Sequence, residues 1–322
     1  MEDVKKYGET IFEVDLKNYN TFKIGGKARC LINVTDKNNL IELIKYLKNN
    51  NIKYFVLGNG SNVVFSDKYF DGVIIKLRNL NKFQIDVENK VLKADAGVYF
   101  PALVPEIVKT NMKGFEWAAG LPGTIGGSVV SNAGCYKSSI FDFLISVTVI
   151  YNGDLKVMYK DEIPHGYRYS FFQDNKDYII LEAHFLLEEG NMKESQQIIL
   201  DRQKRRLESQ PLEYPSAGSI FRNPDEENTK DIIKKHNLKG PFAGHLIEMC
   251  GLKGKKIGGA QISEKHANFI VNIDNASSQD VKDLIDFVHK SVLEKYGIDL
   301  VIEQEFVNWE WLCEWCENNK NS

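Results

Sequence analysis

Apolar residues recur at helical spacing in two stretches of the chain. Between residues 36 and 50, the positions that share one helix face are Leu40, Ile41, Leu43, Ile44 and Leu47. Between residues 280 and 296, they are Val281, Leu284, Ile285, Val288 and Val292. Asp36 has the side chain of a helix N-cap. Both stretches are predicted to be helices, and the charged residues 193–209 are predicted to form a third.

Short apolar runs predict strands. We assign strands to residues 54–57, 63–65, 72–77, 91–94, 144–151 and 269–271. Strands and helices alternate loosely rather than as a strict series of βαβ units, which favours α+β units over a doubly wound sheet. Pro211 and Pro215 interrupt the pattern, so a domain boundary is predicted near residue 208.

Length and charge narrow the class of protein. A chain of 322 residues fits two or three domains. The formal net charge of -3 provides no basic surface for nucleic acid or an anionic membrane. No apolar run approaches the roughly 20 residues of a membrane span, and the first residues lack the apolar core of a signal peptide. We therefore expect a cytoplasmic protein.

The cysteines indicate neither disulfides nor a metal site. They are odd in number and scattered, at Cys30, Cys135, Cys250, Cys313 and Cys316. Cys313 and Cys316 form a CxxC pair, but zinc needs two further ligands and none lie nearby in the sequence. We predict two thiols on a terminal helix and no metal.

Glycines cluster in three segments that suggest phosphate binding. These are Ile24-Gly25-Gly26, LGNGSN at residues 57–62, and GLPGTIGG at residues 120–127, which NAG follows at residues 132–134. Glycine lets backbone N–H groups approach a phosphate closely, and Ser61 and Thr124 add hydroxyl donors. One such loop is more typical of a tight turn, but two long ones favour a pyrophosphate site. Their spacing matches neither G-x-G-x-x-G nor a P-loop.

Three polar residues are candidates for chemistry. Arg168, between Tyr167 and Tyr169, can present a planar fork to a carboxylate. Ser219 lies among small residues without a recognisable base, so it is a candidate proton donor rather than a nucleophile. His266 is a single histidine. Taken alone, each is at least as typical of a structural residue.

Seven segments together resemble the UDP-N-acetylenolpyruvoylglucosamine reductase (MurB) family. In family order they are NTFKIGG (20–26), LGNGSN (57–62), AAGLPGTIGGSVVSNAGCY (118–136), GYRYSFF (166–172), PSAGSIFRNP (215–224), AGHLIEMCGLKG (243–254) and IGGAQISEKHANFIVN (257–272). The short gap between the arginine and serine segments resembles the type II branch.

The resemblance implies an α+β fold of three domains. Residues 1–78 and 79–208 would be the two subdomains of a PCMH-type, vanillyl-alcohol-oxidase-like FAD-binding unit, and residues 209–322 a C-terminal α+β substrate domain. It also implies the NADPH-dependent reduction of UDP-N-acetylglucosamine enolpyruvate to UDP-N-acetylmuramate through FAD, in peptidoglycan precursor synthesis. We expect a monomer.

The resemblance assigns the site residue by residue. The FAD contacts would be Ile24, Gly25, Gly58, Asn59, Gly60, Ser61, Asn62, Gly120, Pro122, Gly123, Thr124, Ile125, Gly126, Gly127, Asn132 and Gly134. The substrate contacts would be Tyr136, Tyr167, Asn223 and His266. The catalytic residues would be Ser219, which donates a proton, Arg168, which binds the substrate carboxylate, and a glutamate.

The catalytic glutamate has two candidates. The family usually ends in a motif like G-I-x-L-E-P-E-V, and this chain has GIDLVIEQEF at residues 297–306. An ungapped match selects Glu303, which we prefer, and a two-residue shift selects Glu305. In a strand both side chains point to the same face. The tail with Trp309, Trp311 and Trp315 departs from the family, and an apolar cap on the third domain would explain it.

Two other functions remain open on the sequence. One is a different FAD oxidoreductase of the same fold, such as a sugar or alcohol oxidase. Those enzymes often tether the flavin through histidine, and no histidine lies in the glycine segments. The other is a non-catalytic relative that only binds a sugar nucleotide.

Overall fold

A computed structural model describes residues 2–309. Its helices are α1 (Lys37–Asn49), α2 (Phe100–Lys109), α3 (Ile125–Val130), α4 (Ile140–Phe143), α5 (Met192–Ser209), α6 (Glu226–Lys235), α7 (Ala243–Met249) and α8 (Ser278–Tyr296). Short 3-10 turns lie at Glu2–Tyr7, Leu16–Tyr19, Glu116–Ala118, Lys160–Glu162 and Phe171–Gln173.

The same residues contain long strands and many very short ones. The strands are β1 (Gly8–Asp15), β2 (Lys27–Val34), β3 (Tyr54–Leu57), β4 (Val63–Phe65), β5 (Phe70–Lys76), β6 (Phe83–Asp86), β7 (Val91–Asp95), β8 (Met112–Lys113), β9 (Gly134–Cys135), β10 (Ser138–Ser139), β11 (Leu144–Tyr151), β12 (Asp154–Tyr159), β13 (His165–Gly166), β14 (Tyr169–Ser170), β15 (Ile179–Leu186), β16 (Glu188–Glu189), β17 (Lys256–Ile257), β18 (Ala260–Ile262), β19 (Ile270–Asn272) and β20 (Glu305–Val307).

The described chain divides into two compact units. Unit 1 takes the described residues of Met1–Val14, Ala28–Asn59 and Asp71–Arg206. Unit 2 takes those of Asp15–Lys27, Gly60–Phe70 and Leu207–Ser322. The division into three domains at residues 78 and 208 stays a prediction.

Unit 1 is built on two sheets. The first has the strand order β1-β2-β5-β3, in which β3 and β5 are parallel. The second has the order β12-β11-β15-β7-β6 and is antiparallel throughout. One apolar core includes Leu43 and Ile44 of α1, Phe100 of α2 and Phe185 of β15, all essentially inaccessible to solvent. The apolar residues of each element lie on one face, and that face is the one buried in the core.

Unit 2 packs short elements around the long helix α8. Strands β17, β18 and β19 form an antiparallel sheet, and β20 pairs in parallel with β4. The predicted apolar face of α8 is buried in the core of this unit. Ser277 and Asp280 form a capping box at its start, and Gly297 closes its end with a left-handed φ of 69°.

Several elements predicted from the sequence are confirmed by the structure. Asp36 caps α1 by accepting a hydrogen bond from the Asn39 amide, and α5, α8, β3, β4 and β11 lie within a few residues of their predicted bounds. Trp309 donates a hydrogen bond from Nε1 to the Val64 carbonyl and packs on the core of unit 2. Trp311, Trp315, Cys313 and Cys316 lie outside the described residues. Within residues 2–309, no helix combines the length and apolar character needed to cross a membrane.

Candidate active site

Two of the predicted glycine segments meet in unit 1. The Asn59 side-chain amide donates a hydrogen bond of 2.8 Å to the Pro122 carbonyl. A Cβ added at Gly58 would lie 2.8 Å from Thr124 Oγ1 and 4.0 Å from the Gly127 Cα. The close approach of the two loops therefore depends on Gly58 having no side chain.

The residues around this contact fit a bound dinucleotide. Gly126 packs tightly on Ala96, whereas Gly127 is exposed, with only Thr124 Oγ1 near its Cβ position. Ser128 Oγ is buried and has no hydrogen-bond partner among residues 2–309. Exposed glycine backbone beside an unpaired hydroxyl offers donors that can bind phosphate oxygens or the acceptor atoms at the edge of a ring. Two backbone hydrogen bonds hold this loop in place. The Gly123 carbonyl accepts from the Phe100 amide, and the Ile125 amide donates to the Val98 carbonyl.

Lys76 is a cation at this loop that the sequence did not single out. It lies on β5, and its Nζ donates a hydrogen bond to the Gly58 carbonyl. Burial, with a smaller contribution from nearby Arg78, lowers the pKa of Lys76 to about 8. A partly buried ammonium group therefore lies beside the LGNGSN segment.

The predicted carboxylate-binding arginine is fixed by backbone contacts in unit 1. Arg168 lies in the hairpin of β13 and β14 with a left-handed φ of 56°, which costs free energy for a residue with a Cβ. Its Nη2 donates a hydrogen bond to the Gly134 carbonyl, and its guanidinium lies 5.1 Å from the Tyr167 ring centre. The Asn132 amide donates to the Gly166 carbonyl at 2.7 Å. The structure thus brings together four residues predicted for the site: Asn132, Gly134, Tyr167 and Arg168.

Helix α5 adds two further cations near the same turn. The Arg202 guanidinium lies 4.8 Å from the ring centre of Tyr136, and the Arg206 side chain lies 3.3 Å from the Cβ position of Gly120. Neither arginine is paired with a carboxylate among residues 2–309. Burial lowers the pKa of the Arg206 guanidinium. Since Tyr136 is a predicted substrate contact, this cluster favours an anionic ligand.

The remaining residues of the LGNGSN segment lie in unit 2. The Gly60 carbonyl accepts a hydrogen bond from the Thr21 amide, and a Cβ at Gly60 would lie 2.6 Å from the Tyr19 carbonyl oxygen. Asn62 is bonded at two points to the segment that carries the candidate glutamates. Its side-chain amide donates to the Glu303 carbonyl at 3.2 Å, and its carbonyl accepts from the Glu305 amide at 2.9 Å. The strand considered for both glutamates contains only Glu305, because β20 begins there and Glu303 precedes it.

The first glycine segment is packed inside unit 2. The Ile24 side chain is completely buried, and its backbone is bonded to the Asn20 side chain. Gly25 has a φ of 127°, and a Cβ there would lie 2.6 Å from the Phe65 Cβ. Any contact that these two residues make with a cofactor would be through their backbone.

Ser219 lies on a loop whose next residues are clamped by Asn268. The Ile220 amide donates to the Asn268 carbonyl at 3.0 Å. The Asn268 side chain accepts from the Phe221 amide at 3.0 Å and donates to the Phe221 carbonyl at 2.8 Å. Asn268 is buried, and both ends of its side-chain amide bond the chain that follows Ser219.

The segment of Glu303 runs alongside this loop. The Glu303 amide donates to the Ile220 carbonyl at 2.7 Å, and the Arg222 amide donates to the Val301 carbonyl at 2.8 Å. A Cβ at Gly218 would lie 3.8 Å from the Ser61 carbonyl oxygen. Unit 2 therefore brings together the predicted proton donor, the preferred glutamate and the end of a predicted flavin segment.

Helix α7 connects the two substrate residues predicted in unit 2. Asn223 Oδ1 accepts a hydrogen bond of 3.1 Å from the Ala243 amide. The His266 ring lies 3.1 Å from the Cβ position of Gly244, and its Nδ1 accepts from the Asn268 amide at 3.2 Å. Burial lowers the pKa of His266, and Lys253 adds to the effect. This shift favours the neutral form of the ring.

Sequence reasoning missed the residues that support the site. Some of these residues lie outside the glycine segments, and others lie in motifs whose other residues were the candidates. They are Asn268, Gln304, Lys76, Arg202 and Arg206. Asn268 was visible only as part of the HANF segment. The two arginines had a weak signal, their spacing of four residues on a predicted helix.

Two family models match the chain. Residues 28–157 match the FAD binding domain, and residues 210–307 match the UDP-N-acetylenolpyruvoylglucosamine reductase C-terminal domain. Together they cover much of both units.

Relatives and a solved structure agree with these matches. The chain is 39% identical over 308 residues to UDP-N-acetylenolpyruvoylglucosamine reductase of Caldanaerobacter subterraneus, covering 95% of this chain and 96% of the relative. It is 37% identical to the Clostridium botulinum reductase, covering 96% of each. The crystal structure of the Thermus caldophilus enzyme is similar with a TM-score of 0.73 at 30% identity, covering 92% of this chain and 98% of that one. The chain therefore belongs to the UDP-N-acetylenolpyruvoylglucosamine reductase family.

Proposed function

We propose that this chain reduces UDP-N-acetylglucosamine enolpyruvate to UDP-N-acetylmuramate with electrons from NADPH. The observation that carries the proposal is the arrangement in unit 2. There the backbone of the loop of Ser219 lies beside that of Ser61 and is bonded to the segment of Glu303. The chain segments of the predicted proton donor and glutamate thus adjoin a segment predicted to bind flavin.

FAD would be held by the glycine loops. In unit 1, the backbone around Gly58, Asn59 and residues 120–127 would contact the cofactor. When bound, FAD supplies hydride transfer between NADPH and the enolpyruvyl group. The chain itself binds, orients and moves protons.

Arg168 would bind the substrate carboxylate. Its side chain is oriented by Gly134 and Tyr167, so little freedom is lost when it forms a bidentate contact. Its charge would also stabilise the negative charge that develops toward this carboxylate during reduction. Tyr136, Arg202 and Arg206 would bind other anionic groups of the ligands.

Ser219 would donate a proton to the carbon that carries the carboxylate, C2 of the enolpyruvyl group. The hydroxyl is half-buried on a loop fixed on both sides, which suits delivery to one atom. Glu303 would donate a hydrogen bond to the developing enolate oxygen when protonated. His266 and Asn223 would contact the sugar nucleotide. We expect the reaction in the cytoplasm, where NADPH and sugar nucleotides occur, and a monomeric enzyme.

Replacing Ser219 tests the assignment. Ser219→Ala should slow reoxidation of the flavin by the enolpyruvyl substrate by at least about a hundredfold, since general acid catalysis contributes ~10²–10⁴ in rate. Reduction of the flavin by NADPH should be nearly unchanged. Stopped-flow absorbance measures the two half-reactions separately. If both rates fall together, Ser219 is a structural residue and its proposed role is wrong.

A further inference from the structure

Gln304 lies between the two candidate glutamates but points elsewhere. Its side chain is 6% exposed. Its Nε2 donates hydrogen bonds to the Ala217 carbonyl at 3.2 Å and the Gly218 carbonyl at 3.5 Å. These carbonyl groups belong to the two residues that directly precede Ser219. A side chain next to Glu303 therefore contacts the backbone of the loop that carries Ser219, which we call the serine loop.

The serine loop needs such a contact on this side. Gly218 has a left-handed φ of 77°, which leaves the peptide groups before Ser219 outside any regular ladder. Asn268 fixes the residues after Ser219. Upstream, Thr21 Oγ1 donates to the Ser216 carbonyl at 2.7 Å. Gln304 supplies the link between these two anchors, at the peptide groups nearest the hydroxyl.

The other amide atom of Gln304 reduces the contribution of this residue to stability. Its Oε1 is buried and has no hydrogen-bond partner among residues 2–309. A buried unpaired acceptor costs free energy, which offsets part of what the two donated hydrogen bonds contribute to stability. The contacts of Gln304 therefore point mainly to a role in the geometry of this loop.

We propose that Gln304 is a positioning residue that fixes the Ala217–Gly218 backbone and so aims the Ser219 hydroxyl at its proton acceptor. The proposal rests on the function proposed above. The contact couples the segment of Glu303 to the loop of Ser219.

Gln304→Met, measured in the FAD-loaded protein, tests the proposal. Methionine keeps the length of the side chain but removes both hydrogen bonds and the unpaired acceptor. Reoxidation of the flavin by substrate should slow about tenfold or more, since small misplacements of reacting groups have effects of this order. Reduction by NADPH should stay within about twofold, and the melting temperature should fall by no more than a few degrees. Amide hydrogen exchange in a peptide covering residues 215–222, measured without substrate, should become faster.

Gln261→Met is the matched control. Gln261 is also in unit 2, and its Nε2 donates to the Gly254 carbonyl at 3.3 Å, away from the serine loop. This variant should match the wild type in both half-reactions and in exchange of residues 215–222. If Gln304→Met fails to fold, Gln304→Glu replaces it. A carboxylate keeps the shape and would repel the two carbonyl oxygens, so the same selective loss is expected.

Three results would overturn the proposal in different ways. Substrate reduction at the wild-type rate in Gln304→Met would show that the contact does not position Ser219. Equal loss in both half-reactions with a lower melting temperature would make Gln304 a structural residue. A wild-type protein whose reduced flavin is not reoxidised by substrate would overturn the proposed function, and with it the proton-delivery part of this proposal.

Discussion

At the scale of a single residue, Lys76 places a positive charge beside the LGNGSN segment. Its Nζ bonds the Gly58 carbonyl, and its pKa is lowered to about 8. If the FAD diphosphate binds at this loop, its negative charge favours the protonated lysine. Binding of FAD would then raise the pKa of Lys76, and the binding affinity must depend on pH by linkage.

FAD affinity should therefore decrease as the pH rises above 8. Below pH 8 the lysine is protonated in both free and bound protein, so the affinity is constant. Above pH 8 the free protein loses the proton that the bound state retains, so the dissociation constant increases. Lys76→Met should weaken binding about tenfold at pH 7, the order expected for one nearby charge, and should remove the change above pH 8.

Titration of FAD fluorescence from pH 6.5 to 9.5 measures this dependence. Lys109→Met removes an exposed lysine that pairs with Glu106 and serves as the control. A wild-type affinity that does not change across pH 8 would contradict the account. So would a Lys76→Met variant with the same pH dependence as the wild type.

Individual site residues could be predicted only where a motif carries them. Ser219 and Arg168 were assigned because their segments resemble the family, not because their spacing required a role. Gln304 and Asn268 act through backbone groups far away in the sequence, and no local pattern reports such a contact. The same is true of Lys76, whose partner is 18 residues away.

Helix α1 is tied to the five-stranded sheet of unit 1 by an ionic cluster. Lys37, its first residue, lies 2.6 Å from Asp95 of β7 and 2.7 Å from Glu182 of β15. Glu182 also contacts Lys93 and His184. Burial opposes its ionisation, but the hydrogen bonds from these three partners are stronger in sum and lower the pKa of Glu182 to about 2.

Glu182→Gln should destabilise unit 1 in a pH-dependent way. The lowered pKa means that the carboxylate stabilises the fold fully above its unfolded value of 4.5, and this contribution is lost as the pH falls toward 2. We expect a loss of about 1–3 kcal/mol in the free energy of unfolding at pH 7 and a smaller difference at pH 2.5.

Urea unfolding of both proteins at the two pH values gives the difference directly. Glu106→Gln removes an exposed carboxylate of unit 1 and should change stability little. An unchanged free energy of unfolding in Glu182→Gln at pH 7 would show that the cluster contributes nothing. A difference of equal size at pH 2.5 would refute its ionic origin.

Elements were predictable where the hydrophobic period extends over several turns. α1 and α8 have both a clear apolar face and a capping residue. α2 was missed because Pro101 and Pro105 interrupt its pattern, and α3 because it is only six residues long and contains two glycines. Two-residue strands such as β9 and β13 exist only through their partners, so no local signal reports them.

At the scale of the whole molecule, each of the two units is built from segments that are not consecutive in the sequence. Unit 2 contains residues 15–27 and 60–70 as well as the C-terminal part of the chain. As a result, the LGNGSN segment begins in unit 1 and ends in unit 2. Hydrophobic periodicity reports the faces of single elements and contains no information on which distant segments pack together. The α+β class was predicted from the pattern, and the flavin fold only through the family resemblance.

The central claim is that FAD in this chain carries electrons from NADPH to the enolpyruvyl sugar nucleotide. The most direct test is the visible spectrum of the purified protein under anaerobic conditions, with NADPH added first and UDP-N-acetylglucosamine enolpyruvate second. The account predicts a yellow protein that bleaches with NADPH and regains its colour with the substrate. A protein that bleaches but recovers only with oxygen would contradict the proposed substrate. A colourless protein that takes up no FAD would contradict the assignment of the glycine loops.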